Sequence, residues 1–480
     1  MSEGQLKNDV AGEKLLRYFA PRTILYDVIV VYPHSLKGET SGEVDGLSAR
    51  SMVMPVRVVY IPAQFKNKIA GQHEYLRSIG LGPDEVRFVK IPPGSSLLEA
   101  GLNDIDTRGE TPAKSPLTLY GQSEGTQRVF EKRARARVKK SRTLSLSAAL
   151  QKEKSSRGLS PLLVSGTAEG AANNKLFLRT VLSNRLKDTS DLNIDFLGVL
   201  HGQRIDDPAL LTSVDKLLSK ATGHAVVVKV VNWFSSDFVG FCSSTKEVMA
   251  FIRKTRNTFQ KRFKDIEPDF LIEEDLSSEK DIEMSAQFLV DDAGEASFIR
   301  CTKNVVQSSM YGLRWRGNVV SGDSRHFLNN VSPADIKKIT RVAEYFAKLG
   351  HRGYMGLDLL KLSSGALKLL EMNGRITGAA GALLALEKLM RQQQTTDLTV
   401  AHLQEIAPDP SLKLRNFEVL RTSIADLLYT NESSFGIVPT LVTPLPKHFG
   451  ALFVGKNMEH VRTLQKELYT RLRIADRLVL

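Results

Sequence analysis

Residues 354–375 read Tyr-Met-Gly-Leu-Asp-Leu-Leu-Lys-Leu-Ser-Ser-Gly-Ala-Leu-Lys-Leu-Leu-Glu-Met-Asn-Gly-Arg. Apolar runs on both sides of a Ser-Ser-Gly cluster predict a β-hairpin. With Ser364-Gly365 as a two-residue turn, Ser363 faces Ala366, and the same register puts Asp358 opposite Glu371. The two carboxylates then sit about 5 Å apart at the backbone. Like charges facing each other across a strand pair are destabilising unless a cation lies between them. Asn373 and Arg375 follow Glu371 at the strand period of two, so acid, amide and guanidinium point to one face. Asp358, Glu371 and Asn373 offer hard oxygen ligands of the kind Mg²⁺ takes, and Arg375 can hold a phosphate or a carboxylate beside them.

The whole chain has 480 residues, 42% hydrophobic and 25% charged, an ordinary soluble composition with room for about two to four domains. Residues 1–17 are polar and no run of about eighteen apolar residues occurs, so a cytoplasmic protein without a membrane span is expected. Cys242 and Cys301 have no His or Cys companions at metal spacing, which argues against a disulfide framework or a zinc site and for two buried thiols. The net charge of +13 is concentrated in residues 128–142, where Arg128, Lys132, Arg133, Arg135, Arg137, Lys139, Lys140 and Arg142 stand against Glu131 alone. Such a run is a solvated face, a linker, or a dock for an acidic partner, nucleic acid or anionic surface. No aromatic residue interleaves with it after Phe130, which disfavours single-stranded nucleic acid.

Working outward, β-branched runs at 26–32, 56–61 and 86–91, with a helix at 72–79, predict a small N-terminal α/β domain. Residues 92–160 are rich in Pro, Gly and charge and read as a connector with one basic helix. A short strand at 162–165 and a loop lead to a helix capped by Asn173 or Asn174 and containing Lys175. Strands are expected at 225–231, 238–241, 269–276 and 282–290, and helices at 212–220, 244–253 and 332–349. Lys229 interrupts a valine run, where an ammonium is costly to bury unless paired. Helical segments are expected to about residue 405, then two strands at 436–442 and 451–454 and a closing helix.

The Asp358, Glu371 and Asn373 set resembles the C-terminal metal and phosphate motif of the ATP-grasp superfamily, and the resemblance covers residues 165–395. It implies that Lys175 and Lys229 are the two nucleotide lysines. Ile272-Glu273-Glu274-Asp275-Leu276 resembles the interdomain hinge, where backbone groups at Glu274 and Leu276 would read adenine and Asp281 or Glu279 the ribose. Arg300 is the candidate cation for phosphate, with Arg314 and Arg316 in the same segment. Thr377-Gly378-Ala379-Ala380-Gly381 after Arg375 is similar to the variant found in pheganomycin-type peptide ligases. The chain departs from the superfamily at Asn232-Trp233-Phe234-Ser235-Ser236-Asp237, where a glycine-rich phosphate loop is usual and no glycine stands before Gly240. No P-loop or protein-kinase signature is present.

The expectation is therefore a multidomain α/β and α+β protein with five parts. These are a Rossmann-like pre-ATP-grasp domain (1–110), a basic connector (111–164), two ATP-grasp subdomains (165–275 and 276–400) and a small C-terminal lobe (401–480). The resemblance implies ATP and Mg²⁺ as cofactors and a carboxylate–amine ligase acting through an acyl phosphate. Its partners would be a small-molecule carboxylate, an amine or peptide acceptor, and a second copy in a homodimer. Two other readings stay open: an ATP-binding module without turnover, and a kinase on the same core.

Overall fold

The protein was analysed as a computed structural model that describes residues 3–26, 52–92, 95–110, 117–120, 130, 132–135, 174–221, 223–231, 238–263, 267–276, 282–309, 312–322, 331–442, 445–475, 478 and 480. After a helix at Glu3–Phe19 come β1 (Thr23–Tyr26), β2 (Val58–Pro62) and β3 (Glu85–Val89), and β4 (Leu117–Tyr120) closes the set. All four pair in parallel in the order β3-β2-β1-β4. Every residue of β2 is buried, as expected of a parallel strand covered on both faces. The strand expected at 26–32 lies instead at Thr23–Tyr26, and residues 27–32 fall outside the described residues.

The connector reading of 92–160 needs correction. Leu97–Thr107 is a helix whose cap, Ser96, accepts from the Glu99 amide, and β4 pairs with β1, so the N-terminal sheet runs past residue 110. Of the basic stretch, residues 130 and 132–135 are described and helical. Lys132 lies 2.7 Å from Glu99, and Arg133 pairs with Asp106, so two of its charges are closed on that helix.

Lys175–Asn184 is the next described helix, and the strand and loop expected before it lie outside the described residues. β5 (Phe196–Val199), β6 (Val226–Val230), β7 (Val239–Cys242) and β8 (Phe270–Glu274) form an antiparallel sheet in the order β5-β8-β6-β7, with helices Pro208–Lys220 and Thr245–Phe263.

β9 (Ile282–Val290), β10 (Ala296–Ser309), β11 (Gly312–Ser321), β12 (Gly353–Lys361), β13 (Leu367–Asn373), β14 (Thr399–Ile406), β15 (Gly436–Leu441) and β16 (Phe449–Gly455) build an eight-stranded antiparallel sheet. Its order is β13-β12-β9-β10-β11-β14-β16-β15. Helix Pro333–Lys348 starts with a capping box between Ser332 and Asp335 and lies over β9 and β10 through Ile339, Val342 and Phe346, packed on Met284, Ala286 and Phe288. Helix Ala379–Gln393 follows β13 on the chain, and Met458–Arg471 closes it.

Two expectations fail here. Residues 399–406 were expected to be helical but form β14, because pairing to β11 on one side and β16 on the other outweighs a weak local preference. Residues 401–480 are not a separate lobe: β14, β15 and β16 continue the large sheet, and one apolar core joins them to the N-terminal domain, with Tyr60, Ile61 and Leu76 in the same cluster as Leu403, Val438 and Phe453. Gln72, on the N-terminal helix Gln72–Ser78, donates to the carbonyls of Thr440 at 2.8 Å and Pro439 at 3.3 Å.

The hairpin also differs from its expected turn. Leu362 bonds to Ala366 and Gly365 takes a left-handed φ of 84°, so the loop is the three residues 363–365. That shifts the register by one: Lys361 pairs with Leu367 and Leu359 with Leu369. A β-bulge at Leu370 then restores it, and Asp358 faces Glu371.

Candidate active site

One face of the large sheet carries the polar residues. On β9, Glu283, Ser285 and Gln287 alternate with the apolar Met284, Ala286 and Phe288 that belong to the core. Ser285 pairs with Asp358 and with Thr302, so these three and Glu371 form one row across four strands. Asn304 donates to Glu283 at 3.3 Å, and Asn318 donates to Asn304 at 2.7 Å.

Lys175 reaches this face from the start of its helix, which Asn174 caps by accepting from the Phe177 amide at 2.8 Å. Its Nζ lies 3.2 Å from Glu371 Oε2, with the lysine side chain only 10% exposed. Arg375 Nη2 donates to Asn373 Oδ1 at 3.0 Å, and Asn373 Nδ2 donates to Asp358 Oδ2 at 2.9 Å. The structure thus brings Lys175, Asp358, Glu371, Asn373 and Arg375 together, and Lys229 lies close enough to favour the charged forms of Glu371 and Glu283.

The carboxylates divide by environment. Burial, and then the facing Glu371, push the Asp358 carboxyl up to about 7. Burial also works against the charge of Glu371, but Lys175 and Arg375 beside it hold its carboxyl below the usual range. Burial raises Glu283 as well, against the bond from Asn304. Lys229 is fixed by a 2.6 Å pair with Glu273, which is 1% exposed and also takes Arg179; despite burial, the two cations hold Glu273 down to about 2.

These residues fit a divalent cation in donor chemistry. Asp358 and Glu371 offer two carboxylates on one face with no compensating bond between them, the set a hard cation takes. Asn373 turns its amide nitrogen, rather than its oxygen, toward Asp358. Among the described residues no group of three or more His, Cys, Asp or Glu could hold a metal, so the two carboxylates would leave the other positions to water and phosphate.

Other expected residues lie elsewhere. Arg300 is 5% exposed and pairs with Glu387 at 2.8 Å while donating to the carbonyls of Ser321 and Gly322, which makes it a structural cation and not one presented to a phosphate. The Glu274 amide is taken by the Asp195 carbonyl and is not presented to adenine. Leu276 follows β8 and is partly exposed. Asp281, Glu279 and the loop 232–237 lie outside the described residues, as do the side chain of Arg314 and that of Trp233. Sequence reasoning missed Glu283, Ser285 and Arg179. The polar alternation at 283, 285 and 287 within an otherwise apolar strand was a readable signal for the first two; a lone arginine on a helix gave none.

No protein-family model matches the chain, and no curated protein does. Solved structures do. The biotin carboxylase domain dimer of Hydrogenobacter thermophilus 2-oxoglutarate carboxylase, in complex with MgADP, ADP and bicarbonate, is 11% identical with a TM-score of 0.55, covering 95% of this chain and 90% of that one. A biotin carboxylase–β,γ-ATP complex from Campylobacter jejuni has the same identity, 11%, and a TM-score of 0.55 over 89% of each chain. N5-carboxyaminoimidazole synthetase from Staphylococcus aureus is 12% identical, covering 95% of this chain and 98% of that one, with a TM-score of 0.46. The chain therefore has a mixed α/β fold that matches ATP-grasp enzymes, built on a large antiparallel sheet.

Proposed function

We propose that the protein is an ATP-dependent ligase that joins a carboxylate to an amine through an acyl phosphate and releases ADP and phosphate. The observation that carries this reading is the facing pair Asp358 and Glu371, with Lys175 and Arg375 against it and Lys229 in reach. A carboxylate resists amine attack because its oxygen leaves poorly, and transfer of a phosphoryl group turns that oxygen into a good leaving group. Mg²⁺ held by Asp358 and Glu371 would neutralise phosphate charge and align the reactants.

The chain's own groups would do the rest. Lys175 and Lys229 hold the phosphates, exchanging their present carboxylate partners for phosphate oxygens. Arg375 holds the substrate carboxylate or the acyl phosphate, close to the start of helix Ala379–Gln393, which has no side-chain cap. Glu274 and Leu276 line the adenine side, with Asp281 toward the ribose. The parallel order β3-β2-β1-β4 supports a Rossmann-like pre-ATP-grasp domain, and the similarity to dimeric biotin carboxylase supports a homodimer. The peptide-ligase variant rests on the residues after Arg375, and the acidic-partner role of the basic stretch on its charges at 128–142.

The test is incubation with Mg-ATP, candidate acids and hydroxylamine. Hydroxamate formation with ADP release is the expected result, and ¹⁸O in the acid must appear in phosphate. AMP with pyrophosphate would reject the mechanism in favour of adenylation. The second reading, a nucleotide-binding module without turnover, is favoured by the glycine-poor loop after Lys229 and by the inward-turned amide of Asn373; binding of ATP without any product would establish it. Phosphate transfer to a hydroxyl would establish the kinase.

A further inference from the structure

In the regular part of an edge strand, neighbouring carbonyls point to opposite sides. At the bulge in β13, the edge strand of the large sheet, they do not. The adjacent carbonyls of Leu369 and Leu370 both accept from one guanidinium: Arg179 Nη1 donates to the first, and Nη2 to the second at 3.0 Å. Arg179 is completely buried, and its Nε donates to Glu273, which also holds Lys229. It sits one helical turn beyond Lys175, on the same face, so a single helix touches the hairpin at the bulge and at Glu371 itself.

The bulge matters because of the loop. A three-residue loop alone would put Leu370 opposite Asp358 and turn Glu371 to the other face, toward Met284, Ala286 and Phe288. Only the extra residue returns Glu371 to Asp358, and Arg179 is the group that satisfies the carbonyls where the chain kinks.

We infer that Arg179 is a positioning residue: it holds the Leu370 bulge and so sets Glu371 opposite Asp358, while its third arm ties the same register to the Lys229–Glu273 pair. The inference rests on the proposed nucleotide and metal site. It assigns the shape of the carboxylate pair to a residue that touches neither carboxylate of it.

The experiment uses the full chain with Arg179→Lys and Arg179→Gln. Lysine keeps a charge beside Glu273 but lacks the fork that spans two carbonyls; glutamine keeps a single donor nitrogen without charge. Mn²⁺ affinity in the presence of ADP, read by electron paramagnetic resonance, should fall about ten- to hundredfold in both, as for other groups that orient metal ligands. Affinity for ADP without metal should change far less than the Mn²⁺ affinity, because Lys175 and Lys229 are both retained and Lys229 keeps its pair with Glu273. Hydrogen exchange over residues 367–373 should be faster than in the unsubstituted protein. A folded variant with unchanged Mn²⁺ affinity overturns the inference and leaves Arg179 a packing residue. Should the lysine variant not fold, the glutamine variant carries the same comparison. If the unsubstituted protein binds no Mn²⁺ with ADP, the nucleotide reading falls; hydrogen exchange then still decides whether Arg179 holds the bulge, and unchanged exchange refutes that as well.

Discussion

Arg300 with Glu387 and Asp358 with Glu371 are two charged sites on the same eight-stranded sheet, the first reaching a covering helix, yet they close their charges in opposite ways. Arg300 meets Glu387 at 2.8 Å through Nη2 and donates from Nη1 to the carbonyls of Ser321 and Gly322, which leaves only its Nε without a bond. Both side chains are almost fully buried, and the charge is balanced within the pair. Asp358 faces another carboxylate, shares its nearest amide with Arg375, and has its carboxyl pushed up to about 7 by burial and by Glu371. A buried cation closed by one carboxylate says little about function; two facing carboxylates with several cations gathered round them say more. The first site reads as a brace between β10 and helix Ala379–Gln393, and the second is the cation site of the proposed function.

That contrast can be broken by one pair of substitutions. Glu387→Gln leaves the Arg300 guanidinium buried without its counter-charge and should lower stability by about 3–5 kcal/mol, while turnover per folded molecule stays unchanged. Glu371→Gln should do the reverse. ATP turnover falls by about two orders of magnitude, while the melting temperature moves little, because relief of the repulsion with Asp358 is offset by loss of the pair with Lys175. Denaturant unfolding and ADP release, measured on both variants, check the pair. A Glu387→Gln protein that is stable but inactive would put Arg300 back at the phosphate.

The hairpin shows how far the sequence could be read. Asp358 opposite Glu371 was legible, but through two departures that cancel: the loop is one residue longer than a Ser-Gly turn, and the bulge at Leu370 takes up the difference. Turn type is a local property, whereas the bulge depends on Arg179, which lies 190 residues from Leu369. Lys175 and Lys229 were picked out through the resemblance, and the structure sets one at a capped helix start and the other inside a valine strand, as the sequence indicated. β10, β11 and β14 were not, because their polar and apolar residues are buried alike on two faces and so show no clean alternation. Arg300 was misread for another reason: its partner Glu387 lies 87 residues away on a helix that sequence alone does not bring near.

Lys229 sharpens the comparison, since it is a cation with one partner already in place. Lys229→Ala leaves Glu273 with Arg179, so the fold should survive, but the phosphates lose a largely desolvated donor. ATP affinity measured by calorimetry should weaken about tenfold. Unchanged affinity would move Lys229 into the class of Arg300.

The smallest effect is one of pH, and it isolates Asp358. Its carboxyl sits near 7 in the folded protein against 3.8 for the free side chain. Well below pH 3.8 the group is neutral in folded and unfolded chains alike and contributes nothing. Between there and 7 the folded chain keeps a proton the unfolded chain has lost, so stability declines as pH rises; above 7 the penalty is constant. Glu371 has the opposite sign, because its folded carboxyl is depressed: its contribution is present above 4.5 and is lost only as pH falls below that, so the two windows barely overlap. Glu283 shifts in the same direction as Asp358, but it is present in both proteins being compared. Asp358→Asn should therefore melt at nearly the same temperature as the unsubstituted protein near pH 4, and a few degrees higher, about 2–4 °C, above pH 7. Adding Mg-ADP at pH 8 should cancel that gain, because only the unsubstituted protein then has a cation between its two carboxylates. A gain that is flat across pH 4 to 8 would mean that Asp358 is as well compensated as Glu387, and the distinction between the two sites would fail.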